Sequence, residues 1–292
     1  MTSRLPDSHP ASLSTWRAEL HLGFARAGER TVLRENRHCG PLRVQKALYP
    51  EGDSLCQAIV LHPPSGIAGG DHLDIHVAVD VEAQAQITTP GAGKWYRSAG
   101  AEAAQHIHLR VDQGATLEWL PQETIVFNGA RAHMETRVTL AADSRFIGWD
   151  ILCLGRAAAG ERFEQGHFEL FYRVDSAETP IWLERGGLLG NDPMLTSPAG
   201  WAGCSVAGTL LCTFPALSQQ AAALLEACRT YTPGDQARHG ITVMPAAQGG
   251  MLIARYLGDN SEAARHWFTM LWQVLRPACS GRPAIIPRIW HT

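Results

Sequence analysis

Residues 62–71 read His-Pro-Pro-Ser-Gly-Ile-Ala-Gly-Gly-Asp, and a strand pattern starts directly behind them. The prolines lack backbone donors and the glycines are conformationally loose, so this block can be neither a regular helix nor a central strand. Leu73, Ile75, Val77, Val79 and Val81 then alternate with His72, Asp74, His76, Ala78 and Asp80. That is the period of a strand buried on one face. The alternation returns in Leu20, Leu22 and Phe24, and in Ile107, Leu109 and Val111 against His106, His108 and Arg110. Other β-prone runs occupy 42–48, 55–62, 115–120, 123–128, 132–140, 145–154, 162–174, 181–185, 203–213 and 251–257. Turn signals part them, among them Pro-Gly-Ala-Gly at 90–93, Asp-Gln-Gly at 112–114 and Asn-Gly at 128–129. Such spacing predicts a mainly β chain, a large multi-stranded β-sandwich or β-helix-like stack, and not a βαβ repeat.

Two segments near the C-terminus read as α-helices. Residues 217–230 are rich in alanine and leucine, with Ser218 as the expected N-cap. In 260–276, Asp259 and Glu262 form an expected capping box, and Pro277 an expected stop. Ala264, Trp267, Phe268, Leu271, Val274 and Leu275 share one face of that helix, which serves either as core contact or as a partner groove. Residues 1–15 are polar and are expected to form a flexible arm, leaving 16–292 as one domain.

The chain is 45% hydrophobic, enough for a full core, and its net charge is only −3. Nucleic-acid binding needs a concentrated basic surface and is not expected. No apolar run approaches the ~18 residues of a membrane span, so no membrane partner is expected either. The seven cysteines include no Cys-x-x-Cys pair, which points to reduced thiols in a cytoplasmic protein. Pro-Gly-Ala-Gly-Lys-Trp at 90–95 resembles the end of a phosphate loop. Thr88 and Trp95 stand where that loop needs a glycine and a serine or threonine, so no nucleotide site is expected. His72 and His76, and His106 and His108, share strand faces. They form either a solvated polar face or a metal pair, and no nucleophile motif accompanies them. No catalytic residue is assigned.

Carboxylates inside apolar runs carry more information. Asp71 has the parity of the apolar set of its strand. Glu118 lies in Leu-Glu-Trp-Leu, and Glu123 leads Thr-Ile-Val-Phe. Asp150 sits within Phe-Ile-Gly-Trp-Asp-Ile-Leu-Cys-Leu, where both parities are apolar and both faces should be covered, and Glu184 follows Ile-Trp-Leu beside Arg185. Arg97, Arg131, Arg156 and Arg185 are candidate partners. Several inward acids imply either a buried ion-pair network or a wet polar passage, one that would hold a divalent cation only transiently.

Six segments in this order resemble the urease accessory protein UreD (UreH) family. They are Gly-Pro-Leu-Arg-Val-Gln-Lys at 40–46, the 62–71 block, and Pro-Gly-Ala-Gly-Lys-Trp-Tyr-Arg-Ser at 90–98. Leu-Glu-Trp-Leu-Pro-Gln-Glu at 117–123, Trp-Asp-Ile-Leu-Cys-Leu-Gly-Arg at 149–156 and Pro-Arg-Ile-Trp at 287–290 follow. Ser65 and Gly93 depart mildly from the family pattern. The resemblance implies an all-β fold with two helices and a non-enzymatic chaperone role. It implies a cytoplasmic complex with a UreF-like helical protein and, through it, a UreG-like GTPase, which loads nickel into apo-urease. It also implies a nickel tunnel with no tightly bound cofactor. Its acids would be Asp71, Glu123, Asp150 and Glu184, with Glu118 beside them and His62, Gly69 and Gly70 at its mouth. Trp267 and Trp290 are the exposed aromatics expected at the UreF-like contact. The alternative is a scaffold that remodels apo-urease without conducting metal.

Overall fold

The computed structural model describes residues 15–215, 217–234, 236–245 and 250–291. The expected arm therefore falls almost wholly outside the described residues. The strands are β1 (Arg17–Ala27), β2 (Arg30–Cys39), β3 (Arg43–Val44), β4 (Cys56–Leu61), β5 (His72–Val79) and β6 (Gln84–Thr88). They continue as β7 (Gly93–Trp95), β8 (Ala103–Val111), β9 (Thr116–Leu120), β10 (Thr124–Val126), β11 (Arg131–Leu140) and β12 (Arg145–Leu154). Then come β13 (His167–Ser176), β14 (Thr179–Leu189), β15 (Val206–Thr213), β16 (Arg238–Met244) and β17 (Met251–Gly258). The helices are α1 (Leu217–Arg229) and α2 (Ser261–Ser280).

One sheet has seven strands in the order β14-β13-β11-β8-β5-β1-β2. The other follows β16-β17-β15-β12-β9-β6-β4-β3, with β10 pairing β12 and β7. Neighbours β1, β5, β8, β11 and β13 run parallel in the first sheet, as do β4, β6, β9 and β12 in the second. The chain thus crosses from sheet to sheet and returns one rung further on, as a solenoid. Antiparallel strands extend it at its ends, through β2, β14 and the set β15-β17-β16.

The alternating residues behave as their period demands. Leu73, Ile75, Val77 and Val79 point between the sheets with Leu20, Leu22, Ile107 and Leu109. In β12 the two parities serve two cores. Phe146 and Leu154 enter the core between the sheets, whereas Ile147, Trp149, Ile151 and Cys153 face a second core under the helices. The helices therefore cover the outer face of the second sheet, and that is why the strand is apolar throughout.

Several local expectations are corrected. Asn260, not Asp259, caps α2: its side chain accepts from the Ala263 N–H at 3.0 Å, while Asp259 accepts from Ser205 instead. Pro277 does not stop the helix, because near the C-terminus its missing N–H removes a single intrahelical bond. Its carbonyl accepts from Gly281, whose φ of 70° ends the helix. Ser218 stands inside α1, not before it. Trp267 is not exposed: it is 1% accessible, and its indole donates to the Tyr231 carbonyl at 2.9 Å. The helical face is core. No described helix is long and apolar enough to cross a membrane.

Candidate functional site

A polar row crosses the otherwise apolar space between the sheets. On the second sheet Asp150, Thr209 and Arg255 are register partners on β12, β15 and β17. On the first sheet Thr136, Tyr172 and Glu184 are register partners on β11, β13 and β14. Asp150 shares the parity of Phe146 and Leu154, and Tyr172 belongs to the core between the sheets. Arg255 joins the two rows through an ion pair with Glu184 at 2.7 Å.

Two cavities meet at Asp150. The first, about 610 Å³, is lined by Asp150, Glu184 and Thr209, by Arg185, Arg238, Arg255 and His239, and by apolar residues and glycines. The second, about 350 Å³, is lined by Asp150, Trp119, Gln122, His62 and Lys94. Thr124, Met134 and Asp150 border both. Protein surrounds the Asp150 carboxyl, yet the residue keeps partial exposure, as a side chain lining an internal passage should. Burial, and then the Glu184 carboxylate, push its pKa up to about 7. Burial, followed by Asp150 and Glu184, also drives the Tyr172 phenol well above its ordinary range.

Asp150 Oδ2, the Tyr172 hydroxyl and the indole N–H groups of Trp119 and Trp182 have no hydrogen-bond partner among the described residues. Buried polar atoms need partners, so groups that border a cavity call for water or an ion inside it. Carboxylate oxygens are hard donors suited to a hydrated divalent cation, whereas Tyr172 lines neither cavity. The two carboxylates of the first cavity, Asp150 and Glu184, supply charge without completing a coordination shell.

The sequence-derived acids separate into distinct environments. Asp150 and Glu184 come together, and Glu184 pairs with Arg255 rather than the adjacent Arg185. Asp71 precedes β5 and lines neither cavity. Its oxygens accept from the backbone N–H groups of Trp16 at 3.1 Å and Ala68 at 2.9 Å, so it locks the loop. Glu118 is fixed elsewhere, bound by Arg276 at 2.8 Å, Gln86 at 2.8 Å and Trp272 at 3.0 Å. Glu123 lies beside Cys153 on the helix side. Burial, with the Glu123 charge adding to it, pushes that thiol up to about 12. None of the four arginines proposed as partners binds these acids; Arg255 and Arg276 do.

His62 borders the second cavity, where burial lowers its pKa and the Asp71 charge only partly offsets that. Gly69 and Gly70 do not clear space for a partner. A Cβ on Gly69 would collide with Ser98 Oγ and the Ala101 carbonyl, and Gly70 holds a φ of +96° against Thr15. Their role is close packing of the loop. Trp290 is half-buried against Trp149 and Trp272, and its indole donates to Thr88 Oγ1 at 2.8 Å. His76 stacks between His21 and His108 on the outer face of the first sheet, and His106 binds Asp74 at 3.0 Å. Among the described residues no three His, Cys, Asp or Glu side chains are arranged to hold a metal.

Thr136, Tyr172, Thr209 and Arg255 escaped the sequence reading. Arg255 sits in Met-Leu-Ile-Ala-Arg-Tyr-Leu, a charge in a run apolar at both parities. The criterion that singled out Asp150 would have found it if applied to cations. Tyr172 continues the inward set of Phe168 and Leu170 and carries no signal of its own.

The sequence profile of the family described as "UreD urease accessory protein" matches residues 17–291. A urease accessory protein UreD of Dechloromonas aromatica is 70% identical over 292 residues, covering all of both chains. One from Azoarcus sp. is 50% identical, covering 95% of this chain and 94% of its own. One from Pseudomonas savastanoi pv. phaseolicola is 48% identical, covering 99% of each.

Proposed function

The chain belongs to the UreD urease accessory protein family, and on that premise we propose that it conducts nickel into apo-urease during maturation. It works in the cytoplasm as a chaperone without a resident cofactor, beside a UreF-like helical partner and a UreG-like GTPase, in a GTP-dependent step. One observation supports the conduit above others: Asp150 borders both cavities, carries an oxygen without a partner, and faces Glu184. An ion entering beside Glu184 would meet Asp150 midway and continue toward Gln122 and His62. Each step offers charge or a lone pair without a cage.

The test is Asp150→Ala, co-expressed with urease and the two partners. The complex should still co-purify, while urease nickel, measured by mass spectrometry, falls several-fold. Full nickel loading by an intact Asp150→Ala complex would sink the conduit. The scaffold reading would then stand. It is favoured by Glu118 and Asp71, whose oxygens are held in structural bonds.

A further inference from the structure

Arg255 stands at the mouth of the first cavity. Its side chain is 49% exposed, whereas that of its partner Glu184 is 20% exposed. Asp150 lies two strands further in, with Thr209 between them. The guanidinium thus occupies the place where an incoming dication would first meet the acid pair. Glu184 uses an oxygen on Arg255, whose guanidinium lines the same cavity as the unpartnered Asp150 Oδ2; Arg185 and Arg238 line that cavity too, but neither pairs with Glu184 or Asp150. Like charges repel strongly where protein displaces water.

We propose that Arg255 is an electrostatic gate, resting on the conduit reading above: a divalent cation reaches Glu184 and Asp150 only when the guanidinium leaves Glu184. A second perch exists for it. The Arg255 guanidinium carbon is 6.0 Å from the centroid of the Trp182 ring, and Trp182 lies two residues from Glu184 on the same strand. A guanidinium moved onto that ring keeps a cation–π partner while freeing the carboxylate. The strand concerned, β14, is an edge strand bonded only to β13, so a docked protein can shift it without breaking a sheet interior. The gate keeps the free protein a poor cation binder and opens the passage on assembly.

Equilibrium dialysis of the purified full chain against Ni²⁺ tests this, with Mn²⁺ as a second probe that favours oxygen ligands. Arg255→Gln should bind at least ~10-fold more tightly than the wild type, a change of about 1.4 kcal/mol. Arg255→Lys, which keeps the charge, should stay near the wild type. Asp150→Asn combined with Arg255→Gln should lose the gain, which separates this site from the surface histidines. If Arg255→Gln does not fold, Arg255→Met keeps the apolar stem and carries the same expectation. A folded Arg255 variant that binds no tighter than the wild type overturns the gate, as does a gain that survives Asp150→Asn. The two readings fail separately. Unchanged affinity in Arg255→Gln, together with poor urease loading by Asp150→Ala, removes the gate alone. Normal loading by Asp150→Ala removes the conduit.

Discussion

Asp150 illustrates how a single residue can be costly to the fold and still be retained. Its pKa rises from 3.8 to about 7, through burial first and the Glu184 charge second. Between those values the folded protein binds the proton more strongly than the unfolded chain does, so stability falls as pH rises across that window. Below it the carboxyl is neutral in both states and the penalty vanishes; above it the penalty is complete. Asp150→Asn removes this dependence. Relative to the wild type, the variant should gain up to about 1.4 kcal/mol per pH unit from pH 4 to 7, reaching the order of a few kcal/mol. Urea unfolding of both proteins at pH 5 and pH 8 reads the difference, and a gap that does not widen at pH 8 would refute the raised pKa. The unusual carboxylate was visible in the sequence, as an acid where both parities are apolar. What it faces was not. Glu118 and Asp71 gave comparable signals, yet Arg276 fixes one and the backbone of Trp16 and Ala68 the other. Apolar context shows that an acid is buried; its partner lies anywhere from three residues away, as for Asp71 and Ala68, to 158, as for Glu118 and Arg276.

The elements repeat this division between period and partner. β5, β8, β11 and β12 were legible because each sets an apolar face against a core. β2 was missed because it is an edge strand exposed over Arg34–Cys39, and β16 because its Arg-His-Gly start is likewise exposed. β6 and β7 were missed because they are short, and neighbouring rungs dictate them more than their own pattern does. The parallel rungs were legible only as one of two alternatives, the β-helix-like stack, since alternation is the same in a sandwich and a solenoid. Helix ends show how close alternatives are resolved. Asp259 and Asn260 are both good caps, and Asp259 is taken by Ser205, just before β15, at 2.8 Å. Asn260→Ala should therefore cost α2 about 1 kcal/mol. Asp259→Ala should act instead through the junction before β15. Hydrogen exchange separates them: the first variant should speed exchange in the opening turn of α2, and the second at Ser205 and its neighbours. Equal effects at both places would contradict the assignment.

At the scale of the whole molecule, the helical layer is fastened to the solenoid by one buried cation. Arg276, 0% exposed on α2, binds Glu118 of β9 through Nε at 2.8 Å. It also binds Glu51, in the segment before β4, through Nη1 at 2.7 Å and Nη2 at 3.0 Å. Gln86 and Trp272 share Glu118, and Gln57 donates to Glu51. Every charged oxygen in the cluster is thereby satisfied, which is the condition under which buried ions can be held. Arg276→Met preserves much of the stem's volume but leaves two carboxylates buried without their cation. That loss should cost about 3–5 kcal/mol, far more than removal of a surface pair. Tryptophan fluorescence is a suitable reporter during urea unfolding, because the Trp272 ring lies 5.0 Å from the Arg276 guanidinium. Adding Glu118→Gln to Arg276→Met should restore part of the stability, since one stranded charge is gone. If the single variant unfolds within about 1 kcal/mol of the wild type, the cluster is not what fastens the layer. The remaining attachment would then be the apolar packing of Trp267, Phe268 and Leu271 on the second sheet.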